Sequence, residues 1–277
     1  ISSLITSFAD TTFNYTGNVT VTDTATIAQL TTIDAATTGT ISVDSITDTA
    51  AAIAASTNAV IAQSTGAVTA STTATTAQAA TIAAFSQAVV YNVSGTAAEI
   101  AAASAGARNE AVNITITGDA TIAQATTAED ATNSGTVTVG TISDTATLIA
   151  ASTNAVIANS AGAVTASTTA TTAEAATIAA FGQAVVYNVS GTAAEIAAAS
   201  AGARNEAVNI TITGDATIAQ ATTAEDATNS GTVTVGTISD TATLIAASTN
   251  AVIANSAGAV TASTAATVAE ATTIDAF

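Results

Sequence analysis

The sequence contains no histidine, cysteine, lysine, proline, methionine or tryptophan, and its only basic residues are Arg108 and Arg204. Without histidine or cysteine it cannot form a serine–histidine triad, a thiol nucleophile or a zinc finger. Without lysine it has neither a Schiff base nor the lysine of a phosphate-binding loop. The net charge of −18 argues against nucleic-acid partners, because phosphate binding needs a basic surface.

Long apolar runs are also missing. The mean hydropathy of +0.51 comes largely from alanine, and threonine, serine or asparagine interrupts every apolar stretch. None of these stretches approaches the roughly 18 residues that a membrane-spanning helix needs. We therefore predict no transmembrane segment.

The chain does contain a long internal repeat. Residues 88–168 recur unchanged at 184–264, so the period is 96 residues. An earlier stretch, 39–87, matches 135–183 with 11 differences in 49 positions. We predict a single array over 18–277, with super-repeats at 88–183 and 184–277 and an N-terminal cap or junction at 1–17.

Each super-repeat divides into four segments of similar design. A short alternating run of valine, isoleucine and threonine is followed by a polar turn and then an alanine-rich stretch, which predicts a strand, a turn and a short helix. Such a unit buries a core only by stacking on its neighbours. The sequence therefore predicts an α/β repeat solenoid of about eleven strand–turn–short-helix coils, with a parallel sheet on one face. We name the four segments coil A (88–110), coil B (111–134), coil C (135–162) and coil D (163–183), and use the same letters for their copies.

The outward face of the predicted sheet carries hydroxyl and amide side chains. Because strand side chains alternate, Asn113 and Thr115 point outward if Ile114 points into the core. Stacking would align such residues into two ranks, a pattern that resembles the ice-contacting face of β-solenoid antifreeze proteins. The alternative is a solvated face, since threonine is the favoured polar residue of strands. The predicted ranks contain Asn113, Thr115, Thr117, Thr136, Thr138, Asn209, Thr211, Thr213, Thr232 and Thr234.

Aspartates recur near the ends of the predicted strands, at similar points of adjacent coils. Calcium takes oxygen ligands and could bridge such stacked carboxylates, although no cofactor is required. The other interpretation is helix capping without a metal, which we predict for the four later aspartates. The pairs are Asp23 with Asp48, Asp119 with Asp144, and Asp215 with Asp240.

Two further features recur once in each super-repeat. Arg108 and Arg204 lie close in sequence to Glu110 and Glu206, which predicts a local, exposed ion pair of little energetic value. A cation facing the acidic surface of a neighbouring molecule is the alternative. The aromatic residues Phe85, Tyr91, Phe181 and Tyr187 are predicted to fill the core between small alanines.

The chain combines alanine and threonine richness, strong acidity, the absence of cysteine and lysine, and tandem Asp-Thr-Ala-x-x-Ile-Ala units such as DTATLIA at 144–150. This combination resembles bacterial S-layer proteins and giant secreted, adhesin-like surface repeat proteins, which are often exported by type I secretion. The resemblance implies an extracellular, cell-surface location. Such proteins often carry calcium-binding Gly-Gly-x-Gly-x-Asp repeats, which do not occur here.

These observations predict a non-enzymatic structural segment of a surface layer, fibre or giant adhesin. It would self-associate or act as a stiff spacer, because near-identical repetition suits length and lateral packing better than a unique catalytic site. The alternative is a binding module for ice or carbohydrate, such as cell-surface polysaccharide, that uses the outward ranks. A glycosidase that works with carboxylates alone is the enzyme class that the composition best permits.

Overall fold

The computed structural model describes residue 6 and residues 14–277. Most of the predicted N-terminal cap or junction, 1–17, lies outside the described residues. The chain divides into two compact units, Ile1–Gly140 and Thr141–Phe277. Each unit is described by itself below.

The first unit alternates short strands with short helices. Its strands are β1 (Val19–Ala25), β2 (Ile41–Asp48), β3 (Val68–Ala70), β4 (Val89–Val90), β5 (Val93–Thr96) and β6 (Ile114–Ala120). Its described helices are α1 (Ile27–Ala36), α2 (Ala50–Ala54), α3 (Asn58–Ile61), α4 (Thr76–Ile82), α5 (Ala97–Ala102), α6 (Ala105–Asn109) and α7 (Ile122–Glu129). Strand β7 (Val137–Asp144) contains the point at which the two units divide.

The second unit repeats this order. Its further strands are β8 (Val164–Ala166), β9 (Val185–Val186), β10 (Val189–Thr192), β11 (Ile210–Ala216), β12 (Val233–Asp240) and β13 (Val260–Ala262). Its helices are α8 (Ala146–Ala150), α9 (Asn154–Ala158), α10 (Thr172–Ile178), α11 (Ala193–Ala198), α12 (Ala201–Asn205), α13 (Ile218–Glu225), α14 (Ala242–Ala246), α15 (Asn250–Ala254) and α16 (Val268–Ile274).

The strands pair in parallel, each with a strand of the next coil. In the first unit β1, β2, β3 and β4 form a four-stranded sheet, and β5 pairs with β6. In the second unit β10, β11, β12 and β13 form another, and β8 pairs with β9. The helices return the chain from one strand to the next, as parallel pairing requires. The predicted α/β repeat solenoid with parallel sheets is therefore confirmed.

Small side chains allow the helix and strand layers to share one thin core. In β11 the buried residues Ile210 and Ile212 alternate with half-buried Thr211 and exposed Thr213. Helices α1 to α15 each add one to three buried apolar residues to the same core, such as Ala221 in α13, whereas α16 adds none. Burying one isoleucine stabilises the fold by about 1.5–3 kcal/mol, so the core depends on many coils rather than on one large cluster.

The predicted aromatic core is confirmed for the tyrosines and wrong for the phenylalanines. Tyr91 and Tyr187 are each 1% exposed, and their hydroxyls donate to the carbonyls of Ala107 at 3.0 Å and Ala203 at 3.2 Å. Burial raises the pKa of Tyr91 and Tyr187 to about 12, and a nearby glutamate adds to the effect. Phe85 and Phe181 follow helix ends and are only half-buried.

Threonine and serine, rather than the predicted aspartates, cap the helices. Each helix from α1 to α16 begins after a threonine or serine whose hydroxyl accepts a backbone N–H of the first turn, as Thr217 does from Gln220 at 3.3 Å. In half of these helices the third residue is glutamine or glutamate, and its side chain bonds back to the cap. The capping prediction was wrong because each aspartate stands one or two residues too early, as Asp215 does before Thr217. The misassigned aspartates are Asp119, Asp144, Asp215 and Asp240.

Candidate functional site

The predicted ranks lie in register in the second unit. Asn209 donates from its side-chain nitrogen to the Asn188 carbonyl oxygen at 2.9 Å. Thr232 in turn donates to the Asn209 Oδ1 atom at 3.0 Å from its hydroxyl and 2.9 Å from its backbone. In the neighbouring rank, Thr211 is paired with both Ser190 and Thr234. The structure thus brings Asn209 and Thr232 into one row and Thr211 and Thr234 into a second, whereas Thr213 is paired with Thr192.

The first unit contains the same rows. Asn113 donates to Asn92 at 2.9 Å, and the Thr136 hydroxyl donates to Asn113 at 3.0 Å. Thr115 is paired with Ser94, and exposed Thr117 is paired with Thr96. Because the amides bond to one another, part of the hydrogen-bonding capacity of these rows is used inside the sheet. Of the remaining predicted rank residues, Thr213 is exposed and Thr138 is half-buried.

A polar cleft of about 650 Å³ lies beside the rows of the second unit. It is open to solvent and lies between the start of β12 and the segment that follows α15. Thr232 and Thr234 line one side, and Asn255 and Ser256 line the other. Glu225, the last residue of α13, also lines the cleft and accepts a hydrogen bond from the Asn255 side chain. The cleft therefore holds a carboxylate, amides and hydroxyls together.

This acid–amide pair was missed in the sequence. Its counterpart in the first unit joins Asp34, in the last turn of α1, to Gln63, whose Nε2 donates at 3.3 Å. In both cases the acid belongs to a coil B and the amide to the following coil C. The signal available in the sequence was the recurrence of an acid and an amide at the same two positions. This recurrence predicts a contact only if it is known that coil C covers the helix of coil B.

The turn aspartates organise backbone rather than one another. Asp240 accepts the N–H of Ile218 at 3.0 Å and that of Thr241 at 2.8 Å. Asp48 accepts the N–H of Ile27 at 2.9 Å and that of Thr49 at 2.7 Å. Each of these carboxylates therefore joins the start of a coil C helix to the start of the preceding coil B helix.

The register keeps the members of the predicted calcium pairs apart. Asp215 is paired with Thr237, three residues before Asp240, and accepts a hydrogen bond from the Thr237 hydroxyl. Three strand residues span roughly 10 Å, which is too far for one ion to bridge directly. Asp23 and Asp48 are offset in the same way, because Ala25 is paired with Ile46.

The remaining pair consists of Asp119 and Asp144. Asp119 is exposed near the end of β6, and Asp144 accepts the N–H of Thr145 at 2.8 Å. Within the described part of the chain, no three acidic side chains converge in a way that could hold a metal ion. Calcium binding stays a prediction.

The arginines cap helix ends instead of forming the predicted ion pairs. Arg108 Nη1 donates to the carbonyls of Ile100 at 3.2 Å and Ala101 at 3.3 Å, and also to that of Ala103. These carbonyls belong to the last turn of α5, where a positive charge is favourable. Arg204 makes the same contacts with the end of α11.

The carboxylates with shifted pKa values are all capping residues. Hydrogen bonds from the backbone and hydroxyl of Thr96 hold the pKa of Glu99 below its ordinary value. Glu195 has the same environment at Thr192. For Glu174 and Glu270 the main cause of the lowered pKa is a bond from the hydroxyl of Thr147 or Thr243. These four carboxylates act in helix capping, which leaves none of them poised as an acid or base.

Comparisons with known proteins identify no relative. No family model, no curated protein and no solved structure matches the chain. Among the described residues no helix is both long and apolar enough to cross a membrane.

Proposed function

We propose that this protein is a non-enzymatic structural segment of an extracellular surface layer, fibre or giant adhesin. The observation that carries the proposal is that specialised polar contacts recur, copy after copy, as links between stacked coils. The amide row Asn92–Asn113–Thr136 has the same geometry as Asn188–Asn209–Thr232. A contact set that recurs in each copy supports a long array of regularly packed coils.

The charge distribution suits an extracellular, self-associating part. The two arginines are engaged with helix carbonyls, so the surface of this chain presents acidic and neutral polar groups. An acidic surface of this kind opposes nucleic acid and promotes solubility. Lateral packing of such surfaces needs counter-ions, which gives calcium a role between molecules even without a built site within one.

Electron microscopy of the purified chain, first with calcium and then with a chelator, tests the structural role. Filaments or sheets in either condition are the expected result. Their loss on chelation would assign calcium to the contacts between molecules. Discrete monomeric particles in both conditions, at high protein concentration, would contradict self-association by this segment.

A second candidate is a binding module for neutral carbohydrate, favoured by the cleft of about 650 Å³. Its carboxylate, amide and hydroxyl groups suit sugar hydroxyls, and no arginine lines it. Ice is less well supported, because Asn209 and Thr232 bond to each other instead of presenting free groups. Titration with neutral polysaccharides, repeated with Thr234→Val, tests it. Saturable binding that the variant weakens would favour the module, and no binding at millimolar sugar would remove it.

A further inference from the structure

Helix α16 and the residue after it, in the last coil D (259–277), differ from the other coil D copies at three positions that share one face of a helix. They carry Val268, Thr272 and Asp275, where the preceding copy has Thr172, Ala176 and Ala179. The new residues are of the same kind as those of the coil B helices, namely a β-branched apolar residue, a threonine and an acid. The matching residues are Ile218, Thr222 and Glu225 at α13, and Ile27, Thr31 and Asp34 at α1.

An ordinary coil D is covered by a coil A, and that contact is small and apolar. Helix α10 packs against α8 on one side and against α12 on the other. At the second contact, a Cβ added to Gly202 would lie 3.5 Å from the Cβ of Ala179. The same contact joins Gly106 to Ala83 in the first unit, at 3.6 Å. An aspartate in place of Ala179 would put a charge against this close helix contact, where Glu206 also lies near.

A coil B is covered by a coil C, and that contact is polar. The side-chain amide of Asn255 donates to Glu225, and that of Gln63 donates to Asp34 at 3.3 Å. Coil C also supplies the aspartate that accepts the first N–H of the coil B helix, as Asp240 does for Ile218. An acid at the end of the coil B helix is therefore the recognition feature that a coil C meets with an amide.

The face of α16 that these residues form is open in the described structure. Helix α16 packs against α14, yet none of its residues is buried, and Val268 is 86% exposed. The corresponding Ile218 of α13 is 8% exposed under its coil C. We propose that this open face binds a strand–helix coil of type C, with an amide donated to Asp275, rather than the coil A that follows the other coil D copies.

Two extended chains test whether coil C or coil A binds the open face of α16. One adds a copy of residues 37–66, a coil C with its linker, directly after Phe277. The matched control adds a copy of residues 182–206, the coil A that follows Phe181 in this sequence. Hydrogen exchange of the backbone amides of α16 is measured in both extended chains and in the unextended protein, by mass spectrometry of the peptide that contains Val268.

The coil C extension is expected to slow exchange in α16 at least about tenfold, while the coil A extension leaves it nearly unchanged. Asp275→Ala should reverse this preference, because alanine suits coil A and removes the acceptor for coil C. The reversal keeps the test informative if one extension fails to fold on the parent chain. Equal protection by both extensions, protection by coil A alone, protection by neither, or protection by coil C that Asp275→Ala leaves intact would overturn the proposal.

Discussion

The pairing of β1 with β2 and the pairing of β11 with β12 have the same register shift but different residues at it. We call these sites the first corner (Asp23, Thr24, Asp44 and Ser45) and the second corner (Gly214, Asp215, Gly236 and Thr237). In each corner the first strand contains one more residue than its partner, which makes a bulge before Thr24 in β1 and before Asp215 in β11. The β11 bulge contains Gly214 at φ +80°, whereas the β1 bulge contains Asp23, and no residue other than glycine has a positive φ in the described chain. Two different sets of residues thus form the same bulge.

The residue across from each bulge changes together with it. Gly236 lies across from Gly214, and a Cβ added to Gly236 would lie 2.6 Å from the Gly214 carbonyl oxygen and 2.8 Å from its nitrogen. In the other corner this position is Asp44, which is exposed. A glycine at positive φ therefore leaves room only for a second glycine, and the aspartate version avoids the close approach.

A side-chain bond across the corner changes as well. Thr24 and Ser45 share a hydroxyl–hydroxyl bond of 2.7 Å in the first corner. In the second, the Thr237 hydroxyl donates to the Asp215 carboxylate. The corner residues therefore act as a set, which predicts that mixing the two sets destabilises the fold.

The largest effect is expected from Gly236→Asp, which puts the residue of the first corner into the second. Its Cβ would collide with the Gly214 backbone, and backbone cannot move aside as a side-chain tip can. We expect the free energy of unfolding to fall by about 3 kcal/mol, measured by urea denaturation. The control is Gly182→Ser, a change that the first copy already carries as Ser86, because a Cβ there meets only Asn154 at 3.7 Å. Equal stability of the two variants would show that the corner has more space than the structure describes.

A smaller loss is expected from Gly214→Ala. An added Cβ meets no atom within 4 Å, so the cost is conformational and comes from φ +80°. The left-handed region costs a residue with a Cβ about 1–2 kcal/mol. Asp23→Ala in the first corner should cost much less, since that position has no positive φ. A Gly214→Ala loss no greater than that of Asp23→Ala, in the same thermal unfolding assay, would contradict this explanation.

Transplanting the set should lower the free energy of unfolding less than Gly236→Asp alone. The triple variant Gly214→Asp, Asp215→Thr and Gly236→Asp gives the second corner three residues of the first, and Thr237 keeps a hydroxyl where the first corner has that of Ser45. We expect a net loss below about 1 kcal/mol, so that the substitutions couple by about 2 kcal/mol or more. Urea denaturation of the triple variant beside Gly236→Asp alone measures the coupling. Additive losses would show that the two corners do not use interchangeable sets.

The period and the strand alternation were sufficient to predict the coils. Ile210, Thr211 and Ile212 show why: alternation is enforced by a core on one side of the strand and solvent on the other. The ranks of Asn209 and Thr232 could be derived because stacked parallel strands align equivalent positions.

Features that depend on the exact residue at which a helix begins could not be derived. Thr217 and Asp215 are both good caps by chemistry, and the choice depends on where β11 ends, which is at Ala216. The bulge also adds one residue to the offset between Asp215 and Asp240, which is three residues in all. The contact between Glu225 and Asn255 could not be predicted without knowing which coil packs against which.

The smallest expected effect concerns one capping residue and its dependence on pH. Coil D of the second unit has Glu174 bonded to the Thr147 hydroxyl at 2.6 Å, whereas the first copy has Gln78 and Ala51 at these positions. Because these bonds lower the pKa of Glu174 from its ordinary 4.5, they stabilise the folded state above that pH, and the contribution is lost as the pH falls through the lower folded value.

Glu174→Gln should therefore lower the melting temperature slightly at neutral pH, where ionised Glu174 stabilises the fold, and should reduce the further loss of thermal stability on acidification below pH 4.5. Glutamine preserves the capping bond to the Thr171 backbone, as Gln78 shows at Thr75 with a 3.0 Å bond. Melting temperatures of the parent and the variant across the acidic range measure this difference. The matched control is Gln78→Glu, which lacks a hydroxyl partner at Ala51 and should add less acid sensitivity than Glu174 contributes. Identical acid profiles for the parent and Glu174→Gln would mean that the Thr147 bond does not distinguish the folded from the unfolded carboxylate.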